Sequence, residues 1–295
     1  EHEQPADVHG PIVRLEQENA LRERRSNVVS EVGELRARLE GELNATLHLT
    51  QGMVAYVSSS ASLEKEVIGP MLKTLYDHGR HIRNIGLAPG NRLSYIHPLV
   101  GNEKAIGLYY PDVREQWPAV ERTIRERKPR LAGPVKLRQG GIGLIYRVPV
   151  FLGEKEDYWG LLSMVLDVDA LYASVGLAPE RNGLRLALRG KDGMGAEGEA
   201  FFGDPALFTA DSVRVQVNTP GGNWELAARP VTGWDNSQRS LLPRLVVGLV
   251  AALTGLTAYL LLAFATRREQ LTRQLEKARD AAEAANRAKS KFVAN

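Results

Sequence analysis

Cysteine is absent from the 295 residues. Disulfides, thiolate metal sites and Cys nucleophiles are therefore excluded, while periplasm and cytosol both stay open as compartments. The usual catalytic signatures are missing too. The chain has no Walker-type phosphate loop, no Gly-x-Ser-x-Gly elbow and no His-x-x-x-His pair. His78 and His81 stand three apart and can share a helix face, but no third ligand is near in sequence. They read as a solvated pair at a helix end, and no metal is expected. Asn44 heads an Asn-Ala-Thr acceptor, yet within a helical stretch it carries little weight. An initiator Met is also lacking, since the chain opens on Glu1; the expectation is a removed targeting segment or first anchor upstream.

A general excess of one charge is lacking as well, despite a pI near 9.1. Beyond Thr266 lie eight Lys/Arg and four Asp/Glu, against 38 and 35 in the whole chain. The bulk is near neutral and the basic excess sits in a short tail, so a nucleic-acid-binding face is not expected. The outer region reads as a binding module and not as an enzyme.

What the chain does have is a charge-free run, "LVVGLVAALTGLTAYLLLAFAT", from Leu245 to Thr266. These 22 residues span about 33 Å as a helix, against a hydrocarbon core of ~30 Å. Pro243 suits the helix start and Arg244 can snorkel to the interface. The basic stretch "RREQLTRQLEKAR" follows the span, which places residues 267–295 in the cytoplasm and 1–240 outside. An outward domain on such an anchor is most economically a receptor or an adhesin. In the tail, Leu271, Leu275, Ala278, Ala282, Ala285, Lys289 and Phe292 alternate at steps of four and three. That heptad seam predicts a weak parallel coiled coil, hence a homodimer.

Upstream, Val28, Val32, Leu35, Leu39, Leu43, Leu47, Val54 and Val57 form an apolar stripe on a long helix over about 19–59. Such a helix is a stalk and dimer seam, a strut backing a sheet, or both. After the polar break "SSSAS", the stretches "HIRNIGL", "NRLSYIHPL", "RLAGPVKL", "GIGLIYRVPVFL" and "YWGLLSMVLDV" read as strands. Gly140-Gly141 marks a hairpin. "REQWPAVERTIRER" reads as an amphipathic helix with Trp117, Val120, Ile124 and Arg127 inward, and "DALYASVGL" as a short helix. A smaller unit follows, with strands in "GLRLALRG" and "VRVQVNTPGGNWELAARP". Trp234 either lies at the membrane interface or caps this small core.

These strand and helix segments, from "HIRNIGLAPGNRLSYIHPLVGNEKAIGLYY" through "DYWGLLSMVLDVDALYASVGL", resemble a CHASE domain, the extracytoplasmic sensor of many bacterial histidine kinases and cyclases and of plant cytokinin receptors. The resemblance covers roughly 60–230. It implies an α+β chain: a long N-terminal helix, a membrane-distal PAS-like subdomain over 60–176 and a proximal one over 177–238. A transmembrane helix over 241–266 and a signalling helix over 267–295 complete it, with 1–18 as leader. The closing "AANRAKSKFVAN" resembles the entry into the phosphoacceptor helix of hybrid-type histidine kinases. The expectation is a bacterial inner-membrane sensor kinase of a two-component system, cut just before its reactive His. ATP, Mg²⁺ and the response-regulator contact would belong to the segment beyond, and no cofactor is expected in these residues. A diguanylate-cyclase sensor and a dimeric anchor that binds nothing small are the alternatives.

In the plant receptors an Asp, in the stretch corresponding to "IGLYY", contacts the adenine ring; here the matching residue is Tyr109, which cannot accept hydrogen bonds as a carboxylate does. Other positions matching pocket residues are Ala132, Arg138 and Arg147, with Tyr95, His97 and Tyr146 nearby. Tyr side chains with an Arg suit a small aromatic or acidic ligand, because guanidinium pairs well with carboxylate. A cytokinin-like ligand remains the other option. Strand alternation lets only one of Tyr146 and Arg147 face the pocket.

Overall fold

The computed structural model describes residues 9–60, 63–153, 156–234 and 241–293. They fall into two compact units, Glu1–Trp234 and Asp235–Asn295. The first unit opens with α1 (His9–Leu47) and α2 (Thr50–Ser59), parted at His48-Leu49, followed by α3 (Lys65–His78). Thr50 Oγ1 donates to the Leu47 carbonyl at 2.8 Å and restarts the helix after the break. The expected single helix is thus two.

A five-stranded antiparallel sheet comes next. Its strands are β1 (Ile82–Pro89), β2 (Tyr95–His97), β3 (Arg130–Lys136), β4 (Ile142–Leu152) and β5 (Asp157–Asp167), in the order β2-β1-β5-β4-β3. Between β2 and β3 the chain leaves the sheet and returns through α4 (Trp117–Glu126). After β5 the Asp167 side chain accepts from the Ala170 N–H at 2.9 Å and caps α5 (Val168–Val175), which Gly176 ends in a left-handed turn. A second sheet runs β6 (Glu180–Arg181), β7 (Leu184–Arg189), β10 (Gly222–Pro230) and β9 (Val213–Thr219), with β8 (Ala200–Gly203) also on β7. The expected boundary between 176 and 177 falls in the turn from α5 to β6, although both sheets and the helices form one unit.

The stripe on α1 is spent on this unit. Val28, Val32, Leu35, Leu39, Leu43 and Leu47 are all buried in the main core, where α1 meets β9, β10 and α5, and α2 meets β4. The strut reading holds for these residues, which leaves them no part in a dimer seam. Because helices cover one face of the first sheet and the 90–126 segment covers the other, β4 and β5 are buried on both faces. That is why they read as nearly continuous apolar runs.

The two sheets are joined at β3. The Leu131 N–H donates to the Pro220 carbonyl at 3.0 Å, and the Gly133 N–H to Asp192 Oδ1 at 2.7 Å. Arg130 bridges from Glu126 on α4 to the Gly221 carbonyl in the β9–β10 turn. Trp234 caps the core: its Nε1–H donates to the Asp211 carbonyl at 2.7 Å and Arg25 lies 4.7 Å over its ring. Arg127 does not face inward as expected. It ends α4 in a left-handed turn and lies exposed, pairing with Glu156 at 2.6 Å and stacking on Phe151.

The second unit contains α6 (Leu241–Val293), continuous over 53 residues. Among the described residues it is the one helix long and apolar enough to cross a membrane. Leu245, Val247, Leu261 and Phe264 are all exposed on it, as lipid-facing side chains are. The tail seam continues on the same helix, and its side chains beyond residue 283 lie outside the described residues.

Candidate functional site

The face of the first sheet turned away from α1 and α2 carries a small cavity of about 40 Å³, partly open to solvent. Two rungs of the sheet make its floor. Asn84, Val165 and Ile145 are cross-strand partners on one rung, and Gly86 and Ser163 on the next, where Arg147 is paired with Ser163 but lies behind the lining. The roof is the segment after β2: Leu93, Ala105, Leu108 and Tyr110, then Gln116 at the start of α4. Leu137, Arg138 and Gln139, from the hairpin, close one side. Backbone bonds hold the roof to the segment between β1 and β2, from Gly107 N to the Leu93 carbonyl at 2.8 Å and from Tyr110 N to the Asn91 carbonyl at 3.0 Å. Gly86 has a local reason: a Cβ there would stand 2.6 Å from Leu93 Cδ1 and 2.7 Å from the Tyr95 carbonyl oxygen.

Two polar groupings interrupt the apolar lining. In the first, Asn84 Nδ2 donates to Asn102 Oδ1 at 2.8 Å, and Asn102 Nδ2 donates to the Pro98 carbonyl at 2.9 Å. In the second, the Tyr110 hydroxyl shares a 2.9 Å hydrogen bond with Ser163 Oγ. Beside it Arg147, 1% exposed, stacks 5.3 Å from the Tyr110 ring centroid and donates from Nη2 to Gln116 Oε1 at 2.5 Å. Burial pulls the Arg147 guanidinium below its ordinary pKa, partly opposed by Tyr110 and Asp192. Among the described residues its Nε has no hydrogen-bond partner.

The seven residues singled out from sequence do not converge. Arg138 lines the cavity, and Arg147 lies directly behind its Tyr110, Gln116 and Ser163 wall. Ala132 pairs with the lining residue Ile145 and is buried beside it. Tyr109 is displaced: it pairs with Arg92, whose guanidinium stacks 4.9 Å over its ring, while its neighbour Tyr110 occupies the roof. Tyr95, His97 and Tyr146 belong to the opposite face and are corrections. Tyr95 and His97 pair with Leu87 and Ile85, whose side chains point to the helices, and His97 packs edge-on against Tyr76 of α3. Tyr146 is in the helix-side core; burial raises its pKa, offset in part by a hydrogen bond with Thr50 of α2. His78 and His81 do not share a helix face either. His78 bonds through Nδ1 to the Thr74 carbonyl, while His81 follows α3 in a left-handed conformation, 3.5 Å from Glu42.

Sequence reasoning missed Tyr110, Gln116, Ser163 and Asn84. Ser163 and Asn84 carried a readable signal, as single polar residues inside buried apolar runs ("GLLSMVL" and "IRNIGL").

A comparison with known families matches the CHASE domain over residues 77–202. All the cavity-lining residues, from Asn84 to Val165, fall inside that match. Residues 77–202 are thus similar to a CHASE domain. The fold of the first unit is similar to that of several solved sensory domains. The ligand-binding domain of the Pseudomonas aeruginosa amino acid chemoreceptor PctC, solved with GABA, superposes with a TM-score of 0.54 at 12% identity, covering 70% of this chain and 98% of that one. The periplasmic sensory domain of the Campylobacter jejuni chemoreceptor Tlp1 gives 0.50 at 14% identity, covering 73% and 98%. An extracellular ligand binding receptor from Desulfohalobium retbaense gives 0.47 at 12% identity, and there the match spans 76% of this chain and only 40% of that one. No curated protein matches the sequence.

Proposed function

We propose that this chain is the sensing and anchoring part of a membrane receptor whose CHASE cavity binds a small molecule outside the cell and whose output is a histidine kinase. The observation that carries the sensing half is the cavity itself. It is mostly apolar and has a few convergent polar groups, the lining expected of a small-molecule site. Solved modules of the same fold hold small molecules, GABA in PctC among them. The anchor is α6, with its basic flank inside by the positive-inside tendency. The kinase half rests on the tail sequence, whose resemblance to the run before a phosphoacceptor His supports autophosphorylation from ATP and Mg²⁺ and hand-over to a response regulator. The heptad seam supports a homodimer as the signalling species.

Sensing is tested by thermal shift of the full chain in detergent against a broad metabolite panel. A ligand at 100 times its Kd adds about 2.7 kcal/mol of stability, and a panel without a single hit refutes the sensory reading. Protease protection in vesicles tests orientation. For the output, the reading frame after Asn295 should encode a His within a few residues; a cyclase domain there overturns the kinase assignment alone.

A further inference from the structure

We infer that the CHASE cavity is built for a small carboxylate with an apolar body and no amine, with Arg147 as its anion anchor and Gln116 as the stand-in acceptor that the ligand displaces. The inference rests on the sensory reading above and narrows its ligand class. Arg147 is a cation sealed from water at 1% exposure, and among the described residues no carboxylate forms an ion pair with it. Its cross-strand neighbour Arg130 has one, in Glu126. The nearest acidic influence on Arg147 is Asp192, whose Oδ1 is already engaged by the Gly133 N–H.

What holds Arg147 is a neutral amide oxygen and the Tyr110 ring, and among the described residues its Nε is left without a partner. A buried unpaired charge is costly, and a bidentate carboxylate is the partner that best matches the guanidinium fork. The groups touching Arg147 are themselves cavity wall: Gln116, Tyr110 and, by strand register, Ser163. Gln116 stands at the N-terminal boundary of α4, outside the sheet, so it is the wall group that can yield without disturbing the ladder.

The remainder of the lining fixes the rest of the ligand. Leu93, Ala105, Leu108, Leu137, Ile145 and Val165 ask for an apolar body. Among the described residues no Asp or Glu lines the cavity, and a second cation, Arg138, does. An ammonium group therefore meets no counter-charge, which sets this site apart from a receptor for an amine such as GABA.

The test uses the full chain in lipid nanodiscs. It is titrated with butyrate, hexanoate and benzoate, with the matching amides as uncharged controls and GABA as the amine control. Melting temperature and calorimetric Kd are the readouts. At least one carboxylate should bind at least tenfold tighter than its amide, about 1.4 kcal/mol, and butyrate should bind tighter than GABA. Gln116→Glu supplies the missing anion from within; it should raise the melting temperature and weaken the carboxylate at least tenfold. Arg147→Lys, which keeps the charge but not the fork, should weaken it as well. An amide that binds as tightly as its acid, or a Gln116→Glu chain with undiminished carboxylate affinity, overturns the inference. Should no carboxylate bind while a neutral or cationic metabolite does, the carboxylate class is wrong and the sensory reading stands. If nothing in either panel binds, both fall.

Discussion

The hydrogen bond between Tyr110 and Ser163 offers a direct measure of how dry the cavity floor is. Both side chains are nearly sealed, at 3% and 4% exposure, with 2.9 Å between the oxygens. Tyr110→Phe removes one hydroxyl and keeps the ring under Arg147; it strands Ser163 Oγ at a cost of about 1–3 kcal/mol. Ser163→Ala strands the Tyr110 hydroxyl at a similar cost. The double variant removes both groups, and an apolar pair of the same shape is nearly neutral. The two single costs should therefore not add, and the cycle should show a coupling as large as the two single costs together, on the order of 2–6 kcal/mol. For a folded unit of this size each kcal/mol moves the melting temperature by about 2–4 °C. Each single variant should then melt about 2–12 °C lower, with the double close to wild type. Thermal unfolding followed by near-ultraviolet circular dichroism in detergent reads this. Additive costs would refute the reasoning, since they would mean that water in the cavity already satisfies each hydroxyl alone.

Leu39→Ala, at a strut position with 0% exposure, should cost about 3–5 kcal/mol and lower the melting temperature of the whole first unit in one transition; a loss confined to one sheet would contradict the shared core. Gly160→Ala would set a Cβ 2.2 Å from the Ala88 carbonyl oxygen in the β1–β5 ladder, at a φ of +155°. Its folded yield should fall sharply, and a wild-type melting curve would show that the two strands do not pack as described. Arg122, then Arg130, hold the Glu126 carboxyl below its ordinary value of 4.5. A depressed carboxylate stabilises the fold above its unfolded pKa, and that contribution is lost as pH falls through the folded one. Stability should therefore drop on acidification below about pH 4.5, and Glu126→Gln should flatten that limb; an unchanged acid profile would remove the Arg130–Glu126 pair from the account.

The elements legible from sequence were those whose burial pattern is simple. The α1 stripe, the Gly140-Gly141 hairpin and the strands β4 and β5 all announce themselves through period or turn chemistry. α3 did not, because Gly69-Pro70 sits inside it and reads as a break. Yet Ile68, Leu72, Leu75 and Tyr76 still turn one face to the core. The site was harder for a different reason. Strand alternation forced a choice between Tyr146 and Arg147 but could not decide it, since both faces of β4 are buried and neither polar residue looks misplaced. Tyr109 and Tyr110 sit on a roof segment of short helical turns, where no period assigns facing. The face is decided only by the docking of α2 against β4, a contact nearly one hundred residues apart in sequence.

How occupancy of such a cavity could leave the domain follows from which residues share a rung. Ser163, Arg147 and Arg130 are successive cross-strand partners on β5, β4 and β3. Ser163 belongs to the cavity floor and Arg147 lies directly behind it, while Arg130 reaches out of the first sheet to the Gly221 carbonyl of the second. One residue further along β3, Leu131 bonds to Pro220, and Gly133 binds Asp192. The charge that awaits a ligand and the joint between the sheets are therefore neighbours on one ladder, with no flexible loop between them. On the other face of β4, Tyr146 and Val148 pack in the core shared with the strut helices. A change in the Arg147 partner meets rigid structure on both sides, and close-packed elements transmit displacement poorly except by shifting as units. A ligand acts on that arrangement only through a difference in affinity between two positions of the joint. Replacing a neutral amide by an anion beside a buried cation is the kind of exchange that supplies such a difference, because the gain is realised only where the guanidinium stays sealed.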